Sequence, residues 1–134
     1  GPEIRALAGD GVVVTGTVPD VRPLYQAATV VVVPVRIGGG TRLKILEAMA
    51  AGVPVVSTSA GAEGLEVAGG ENILLADTPQ QMMECLRALL ASPALRRTLA
   101  ENGRQLVSRC YDWSRQGAVL FEILQKAAAG RRAR

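Results

Sequence analysis

Three consecutive glycines, Gly38–Gly40, stand directly before a segment with the sequence signals of a helix. Thr41 is a good N-cap for that helix, because its hydroxyl can accept a hydrogen bond from an amide one turn into it. Free amides and the helix dipole make an anion site at such an N-terminus, and residues without side chains let a phosphate approach the backbone. The bare glycine run is compatible equally with a phosphate-binding loop and with a flexible turn.

The helix predicted after the glycines is indicated by its apolar positions and by the residues that end it. Its apolar positions cover most of its surface, as expected of a helix packed between other elements. These positions are Leu43, Ile45, Leu46, Met49 and Ala50. Gly52 can adopt the left-handed conformation that ends a helix, and Pro54 cannot continue one. Val53, Val55 and Val56 then begin a β-branched strand.

The rest of the chain alternates short apolar strands with helices. Further strands are predicted at 12–15, 29–33 and 73–75. Helices are predicted at 4–8, at 21–28 and in three segments after residue 78. On the first of these helices Met83, Leu86 and Leu90 form an apolar stripe. On the second, Leu95, Leu99 and Leu106 are predicted to face inward, and on the third Ala118, Phe121 and Leu124 share a face.

This alternation predicts a single α/β domain over residues 1–134, with a Rossmann-like parallel sheet and flanking helices. Ligands of such sheets bind beyond the carboxyl ends of the strands. Gly16, residues 34–40 and residues 57–61 each follow a predicted strand. We therefore expect these three segments to converge on one rim of the sheet.

The net charge of +3 is unevenly distributed along the chain. Residues 1–79 carry five basic and eight acidic side chains, whereas residues 80–134 carry ten basic and four acidic ones. The basic half is interpreted as solvated helix faces, and an anionic membrane surface or an anionic acceptor is the alternative interpretation. Nucleic acid is not expected as a partner, because four aromatic residues provide no stacking platform.

Composition also bears on metal sites and location. The chain has no histidine, and Cys85 and Cys110 are too few and too far apart for a metal cluster or a disulfide framework. We therefore expect reduced thiols, no metal and a cytoplasmic protein, with peripheral contact to the inner face of the membrane as an option. No apolar run is long enough for a membrane span, and the N-terminus lacks the pattern of a signal peptide.

Residues 38–56, Gly-Gly-Gly-Thr-Arg-Leu-Lys-Ile-Leu-Glu-Ala-Met-Ala-Ala-Gly-Val-Pro-Val-Val, resemble the donor-binding signature of retaining GT-B glycosyltransferases of family four. That family usually carries two glutamates eight positions apart, followed by Ala-Met-Ala-x-Gly-x-Pro-Val-Val. Glu47 matches the second glutamate, whereas Gly39 stands at the position of the first. The resemblance extends from Val12 to Leu124 and is most specific in its central third.

The resemblance implies that the ligand is a nucleotide sugar, UDP- or GDP-linked, and that no cofactor is needed. By the same resemblance, the glycine loop Gly38–Gly40 and the amides of Thr41, Arg42 and Leu43 bind the diphosphate. This agrees with the electrostatics of a helix N-terminus, which favours two negative charges there. Because Gly39 replaces the first glutamate, the residue that contacts the donor sugar is unassigned. The identity of the sugar is therefore open.

Further roles follow for neighbouring residues. Glu47 lies six residues beyond the predicted cap, about 9 Å along a helix axis, which matches the separation of a ribose from its β-phosphate. A carboxylate there can accept hydrogen bonds from both ribose hydroxyls, and a solvated helix charge is the alternative. Gly16 and Val18 are predicted to border the nucleobase, and Arg42 and Lys44 to add positive charge for the departing diphosphate.

Members of the resembled family have an N-terminal acceptor domain. By this resemblance we expect that domain and the first two strands of the donor domain to lie outside the given sequence. We therefore expect part of a glycosyltransferase of polysaccharide biosynthesis that transfers a sugar with retention to a glycan or lipid acceptor. The isolated chain is expected to be inactive, its catalytic residues stay unassigned, and the open edge of the strand at 29–33 favours self-association. The alternatives are a nucleotide-sugar epimerase of the same architecture and a non-catalytic nucleotide-binding or scaffold module.

Overall fold

A computed structural model describes residues 2–38 and 42–132 of the chain. The helices are α1 (Pro2–Arg5), α2 (Arg22–Ala27), α3 (Leu43–Ala50), α4 (Ser59–Ala62), α5 (Pro79–Ala91), α6 (Pro93–Cys110) and α7 (Trp113–Arg132). The strands are β1 (Val31–Val33), β2 (Val55–Ser57) and β3 (Leu74–Leu75). All three pair in parallel in the order β1-β2-β3, which confirms the predicted parallel α/β sheet.

The sheet separates two clusters of buried side chains. Successive residues of a strand point to opposite faces, so Val55 and Val56 of β2 enter different clusters. The first cluster joins β1 and β2 to α3 and the C-terminal half of α6 and includes Ile45, Met49 and Leu106. The second joins β2 to α5 and the N-terminal half of α6 and includes Val56, Ala76, Leu89 and Leu99. This two-sided packing explains why the strands are apolar without alternation.

The central helix α3 matches its sequence prediction closely. Gly52 has φ +74°, in the left-handed region, and its amide donates to the carbonyl of Met49 at 2.9 Å. The amide of Val53 donates to Ala48, so the chain turns at once into β2. At the other end Arg42 occupies the N-cap position and the helix begins at Leu43. The predicted cap, Thr41, lies outside the described residues.

On α5 the buried face is rotated by about one position from the predicted apolar stripe. Leu89 is fully buried, whereas Met83 and Leu90 are 46% and 62% exposed. Leu86 does pack against the buried cluster, together with Met82 and Cys85, which were not predicted to face inward. A capping box of Thr78 and Gln81 starts the helix, and the contacts with β2 and α6 set its rotation. On α6 the burial of Leu99 and Leu106 is confirmed, and Leu95 is partly buried.

The run at 12–15, predicted as a strand, is not one. Gly9 and Val12 exchange backbone hydrogen bonds of 3.1 and 3.0 Å across a tight turn, and Val13 is 85% exposed. A strand requires a neighbouring backbone to satisfy its amides and carbonyls, and none of the described strands pairs with residues 13–15. β1 therefore forms an edge of the described sheet, and self-association through that edge stays a prediction.

The last predicted helix is present as α7, and the face shared by Ala118, Phe121 and Leu124 is exposed. Phe121 and Leu124 are 62% and 58% exposed, and Ala118 is also exposed. No other described element covers this face of the helix. Within the described part of the chain, no helix is both long and apolar enough to cross a membrane.

Candidate functional site

The carboxyl ends of β1 and β2 are tied together by side-chain hydrogen bonds. Ser57 donates from Oγ to the carbonyl of Val33 at 3.2 Å. The Thr58 hydroxyl donates to the carbonyl of Val35 and accepts from the amide of Gly61 at 2.9 Å. Both side chains are buried, so these bonds fix the segment after β1 against the segment after β2. Of the three segments predicted to converge on the rim, the two that follow β1 and β2 are therefore held together, and Gly16 is not part of this contact.

Gly61 is expected to tolerate no side chain at this rim. A Cβ placed there would lie 2.5 Å from Ser57 Oγ, 2.9 Å from Thr58 Oγ1 and 3.0 Å from the carbonyl oxygen of Val33. Overpacking of this kind costs about 1–3 kcal/mol of the free energy of unfolding. Urea unfolding of Gly61→Ala should show this loss, while Gly9→Ala, where an added Cβ meets nothing within 4 Å, serves as the control. Equal stability of the two variants would contradict the tight packing at this rim.

The end of β3 joins the same rim through Asp77. Its carboxylate accepts from the amide and from the hydroxyl of Ser59, both at 2.7 Å. These two hydrogen bonds lower the pKa of Asp77 below its ordinary value, the hydroxyl contributing most. The carboxylate is therefore ionised at neutral pH and fixes the start of α4.

Arg42 joins the two described ends of the glycine loop. Its Nη2 donates to the carbonyls of Gly38 at 3.1 Å and Ala60 at 2.8 Å, and lies 3.6 Å from Oε2 of Glu63. The side chain is only 12% exposed, and its Nε is buried with no hydrogen-bond partner among the described residues. Arg42 therefore holds the loop against α4, and its positive charge is fixed beside the loop rather than projecting into solvent.

Lys44 and Gly38 line a concavity of about 350 Å³ at the start of α3. The other residues of its wall are Val33, Val35, Ile37, Arg42 and Gly61. Lys44 is exposed and forms no salt bridge with a described residue. The concavity thus combines a free ammonium group, a fixed guanidinium group and a helix N-terminus, which together favour an anion. Gly39, Gly40 and Thr41, predicted to bind the diphosphate, lie outside the described residues.

Glu47 is exposed on α3, although the neighbouring Ala48 and Met49 are buried. Its Oε2 accepts a hydrogen bond of 3.1 Å from the hydroxyl of Tyr25, which also lies 3.4 Å from the carbonyl oxygen of Lys44. Burial and the hydrogen bond to Glu47 raise the pKa of Tyr25 to about 12. The phenol therefore keeps its proton at neutral pH and acts as a donor. Glu47 is therefore an exposed carboxylate whose orientation is restricted by its hydrogen bond to Tyr25.

Glu47 also lines a second concavity, of about 560 Å³, between α3 and the junction of α6 with α7. Its remaining wall consists of Leu43, Leu46, Ala50, Val107, Ser108, Tyr111, Asp112 and Trp113. Two carboxylates, Glu47 and Asp112, with a largely apolar surround suit a ligand that has both hydroxyl groups and an apolar face.

The structure does not bring the predicted nucleobase residues into contact with this surface. Gly16 lines a separate concavity of about 550 Å³, formed by residues 4–5 and 13–17, and neither Arg42 nor Glu47 belongs to it. Val18 is half-buried and does not line it. The role of Gly16 and Val18 at the nucleobase therefore stays a prediction.

A further concavity, of about 650 Å³, lies on the opposite side of the segment that follows β1. Its wall consists of Pro34, Arg36, Thr58, Ala76, Asp77, Thr78, Pro79, Met82, Met83, Leu86, Arg87 and Leu90. Val33, Val35 and Ile37 line the Lys44 concavity, whereas Pro34 and Arg36 line this one. None of the predicted donor-binding residues lines it.

Tyr25 and Asp77 were not predicted to belong to the site. Tyr25 contacts Glu47 across 22 positions of the sequence, and Asp77 contacts Ser59 across 18. Such pairs leave no local spacing pattern in a single sequence. Ser57 and Thr58 were expected at the rim as part of the segment 57–61, but no role was predicted for their hydroxyl groups.

Comparison with known proteins identifies the family. The family described as Glycosyl transferases group 1 matches residues 1–92 of the chain. The chain belongs to this family. The D-inositol 3-phosphate glycosyltransferase of Corynebacterium urealyticum is 37% identical over 102 residues, which are 75% of this chain and 24% of that protein. The chain spans between 24% and 34% of the length of the curated relatives it matches.

Two solved structures of glycosyltransferases share the fold. The C-terminal domain of a glycosyl transferase group 1 family protein from Francisella tularensis has a TM-score of 0.67 and 32% identity, covering 73% of this chain and 52% of that one. Sucrose-phosphate synthase from Thermosynechococcus elongatus has a TM-score of 0.71 and 30% identity, covering 80% of this chain and 27% of that one. The resemblance to the C-terminal domain of a GT-B glycosyltransferase is thus confirmed. No group of three His, Cys, Asp or Glu side chains within residues 2–38 and 42–132 could hold a metal ion.

Proposed function

We propose that this member of the glycosyl transferases group 1 binds the donor nucleotide sugar for a retaining glycosyltransferase. The donor is a UDP- or GDP-linked sugar, and the acceptor is a glycan or a lipid. The diphosphate lies at the N-terminus of α3, where the glycine loop gives access to the backbone. The nucleoside extends along α3 toward Glu47.

The observation that carries this proposal is the position of the Glu47 carboxylate. It is exposed on the same helix whose N-terminus follows the glycine loop, and the Tyr25 hydroxyl holds it at 3.1 Å. Glu47 lies four residues after Leu43, so the two residues share one face of α3, about 6 Å apart along its axis. A carboxylate at this distance from the helix N-terminus can accept hydrogen bonds from both hydroxyls of a ribose while the diphosphate contacts the first turn.

Two cations, Arg42 and Lys44, have different electrostatic roles in this proposal. Arg42 has its Nη2 on two backbone carbonyls and contributes a fixed charge beside the loop. Lys44 is exposed in the same concavity and contacts the diphosphate directly. Together they stabilise the negative charge that develops on the departing nucleoside diphosphate. Gly39 supplies no carboxylate for the donor sugar, so another group makes that contact.

Calorimetric titration of the 134-residue chain with UDP, GDP and ADP tests the proposal. We expect saturable binding of UDP or GDP with one site per chain, and weaker binding of ADP. Inorganic pyrophosphate is the matched comparison, because it offers the charges of the diphosphate without the ribose that Glu47 contacts. Absence of binding by all three nucleotides, or equal binding of pyrophosphate, would contradict the proposal.

A further inference from the structure

The Glu47 carboxylate is held by a side chain from a different element, Tyr25 of α2. The phenolic oxygen lies 3.1 Å from Glu47 Oε2 and 3.4 Å from the carbonyl oxygen of Lys44. A phenol carries one proton and can donate it to one acceptor at a time. The carboxylate is charged and is the nearer of the two acceptors, so it receives the stronger hydrogen bond.

Tyr25 is itself fixed in place. The start of α2 is secured by Asp20, whose Oδ1 accepts from the amide of Arg22 at 2.9 Å and whose carboxylate also pairs with the Arg22 guanidinium. The ring of Tyr25 is half-buried and packs against the cluster that contains Ile45 and Met49 of α3. The hydroxyl thus reaches Glu47 from a ring that cannot rotate freely.

We infer that Tyr25 is a positioning residue that orients Glu47 toward the ribose of the bound nucleotide. The inference rests on the proposed function, since it requires that Glu47 bind the ribose. With Oε2 held by the phenol, Oε1 and the remaining lone pair of Oε2 point away from Tyr25 and accept from the two vicinal hydroxyls. The carboxylate is then ordered before the nucleotide arrives, which lowers the entropy cost of binding.

Tyr25→Phe removes this hydroxyl while keeping the ring that packs against α3. We expect the variant to retain its unfolding temperature and to bind UDP or GDP, whichever the chain prefers, about three- to tenfold more weakly. A purely structural role for the hydroxyl would weaken every ligand alike. The same titration with the 2′,3′-dideoxy form of that nucleoside diphosphate should therefore show no difference between Tyr25→Phe and the unaltered chain.

The variants Glu47→Ala and Tyr25→Phe/Glu47→Ala complete the test. If Tyr25 acts through Glu47, its substitution has no further effect once the carboxylate is gone. The inference is overturned if Tyr25→Phe leaves the affinity unchanged, if it weakens the dideoxy ligand equally, or if its effect persists in the Glu47→Ala background. Should Glu47→Ala alone leave the affinity unchanged, the ribose role in the proposed function fails. If Glu47→Ala weakens nucleotide binding but Tyr25→Phe does not, the ribose role of Glu47 stands and only the positioning role of Tyr25 is overturned.

Discussion

Glu47→Ala is expected to weaken binding of UDP or GDP to this chain by about tenfold or more. Hydrogen bonds to a charged group contribute about 1.5–3 kcal/mol each, and the variant removes the acceptor of both ribose hydroxyls. The fold should be unaffected, because Glu47 is exposed and Tyr25 keeps the carbonyl of Lys44 and water as partners. Calorimetric titration gives the affinity, and circular dichroism verifies the fold.

Glu84→Ala is the matched control for this variant. Glu84 is an exposed glutamate on α5, outside the concavities that contain Glu47 and Lys44. Its replacement by alanine makes the same change in net charge as Glu47→Ala and leaves both concavities unaltered. We expect the nucleotide affinity of Glu84→Ala to equal that of the unaltered chain. An equal loss in both variants would show a general charge effect, and no loss in either would contradict the ribose role of Glu47.

Leu89→Ala is expected to lower the free energy of unfolding by about 2–5 kcal/mol. Leu89 is fully buried in the cluster that joins β2 to α5 and α6, so its truncation leaves a cavity between the sheet and both helices. The next residue of the same helix, Leu90, is 62% exposed and provides the control. Leu90→Ala should change stability by no more than about 0.5 kcal/mol.

Urea unfolding of the two leucine variants measures this difference directly. The apolar pattern of α5 alone favours the opposite result, since it places Leu90 and not Leu89 on the inward face. A larger loss for Leu90→Ala would therefore contradict the observed rotation of α5 and support the sequence pattern.

Elements with strong local signals were predicted well from the sequence. The combination of Gly52 and Pro54 determines where α3 ends, and Thr78 and Ser92 determine where α5 and α6 begin. These signals act through the backbone conformation and hydrogen bonding of a few neighbouring residues. They depend little on the rest of the fold, so one sequence suffices to recognise them.

Predictions that depended on distant partners were less successful. The valines at 12–14 have the composition of a strand, but a strand forms only where another backbone pairs with it. Leu89 and Leu90 are chemically identical, and only the contacts with β2 and α6 decide which one is buried. Phe121 and Leu124 form an apolar face on α7, but no other described element covers it.

The same difference between local signals and distant contacts applies to the residues of the candidate site. Glu47 could be singled out because its spacing from the glycine loop is local and lies within one helix. Arg42 was predicted to supply charge, but its bonds to Gly38 and Ala60 make it a structural support of the loop as well. Tyr25 could not be predicted, because its hydrogen bond to Glu47 depends on how α2 packs against α3.

In the proposed function the nucleoside diphosphate binds along α3, from the glycine loop to Glu47. Titration of the ¹⁵N-labelled chain with UDP and GDP, followed by amide chemical shifts in NMR spectra, tests this position. We expect saturable shifts confined to Gly38–Leu43, Lys44 and the surroundings of Glu47 and Tyr25. Shifts centred instead on the concavity beside α5, at Arg36, Met83 and Arg87, or no saturable shifts with either nucleotide, would contradict it.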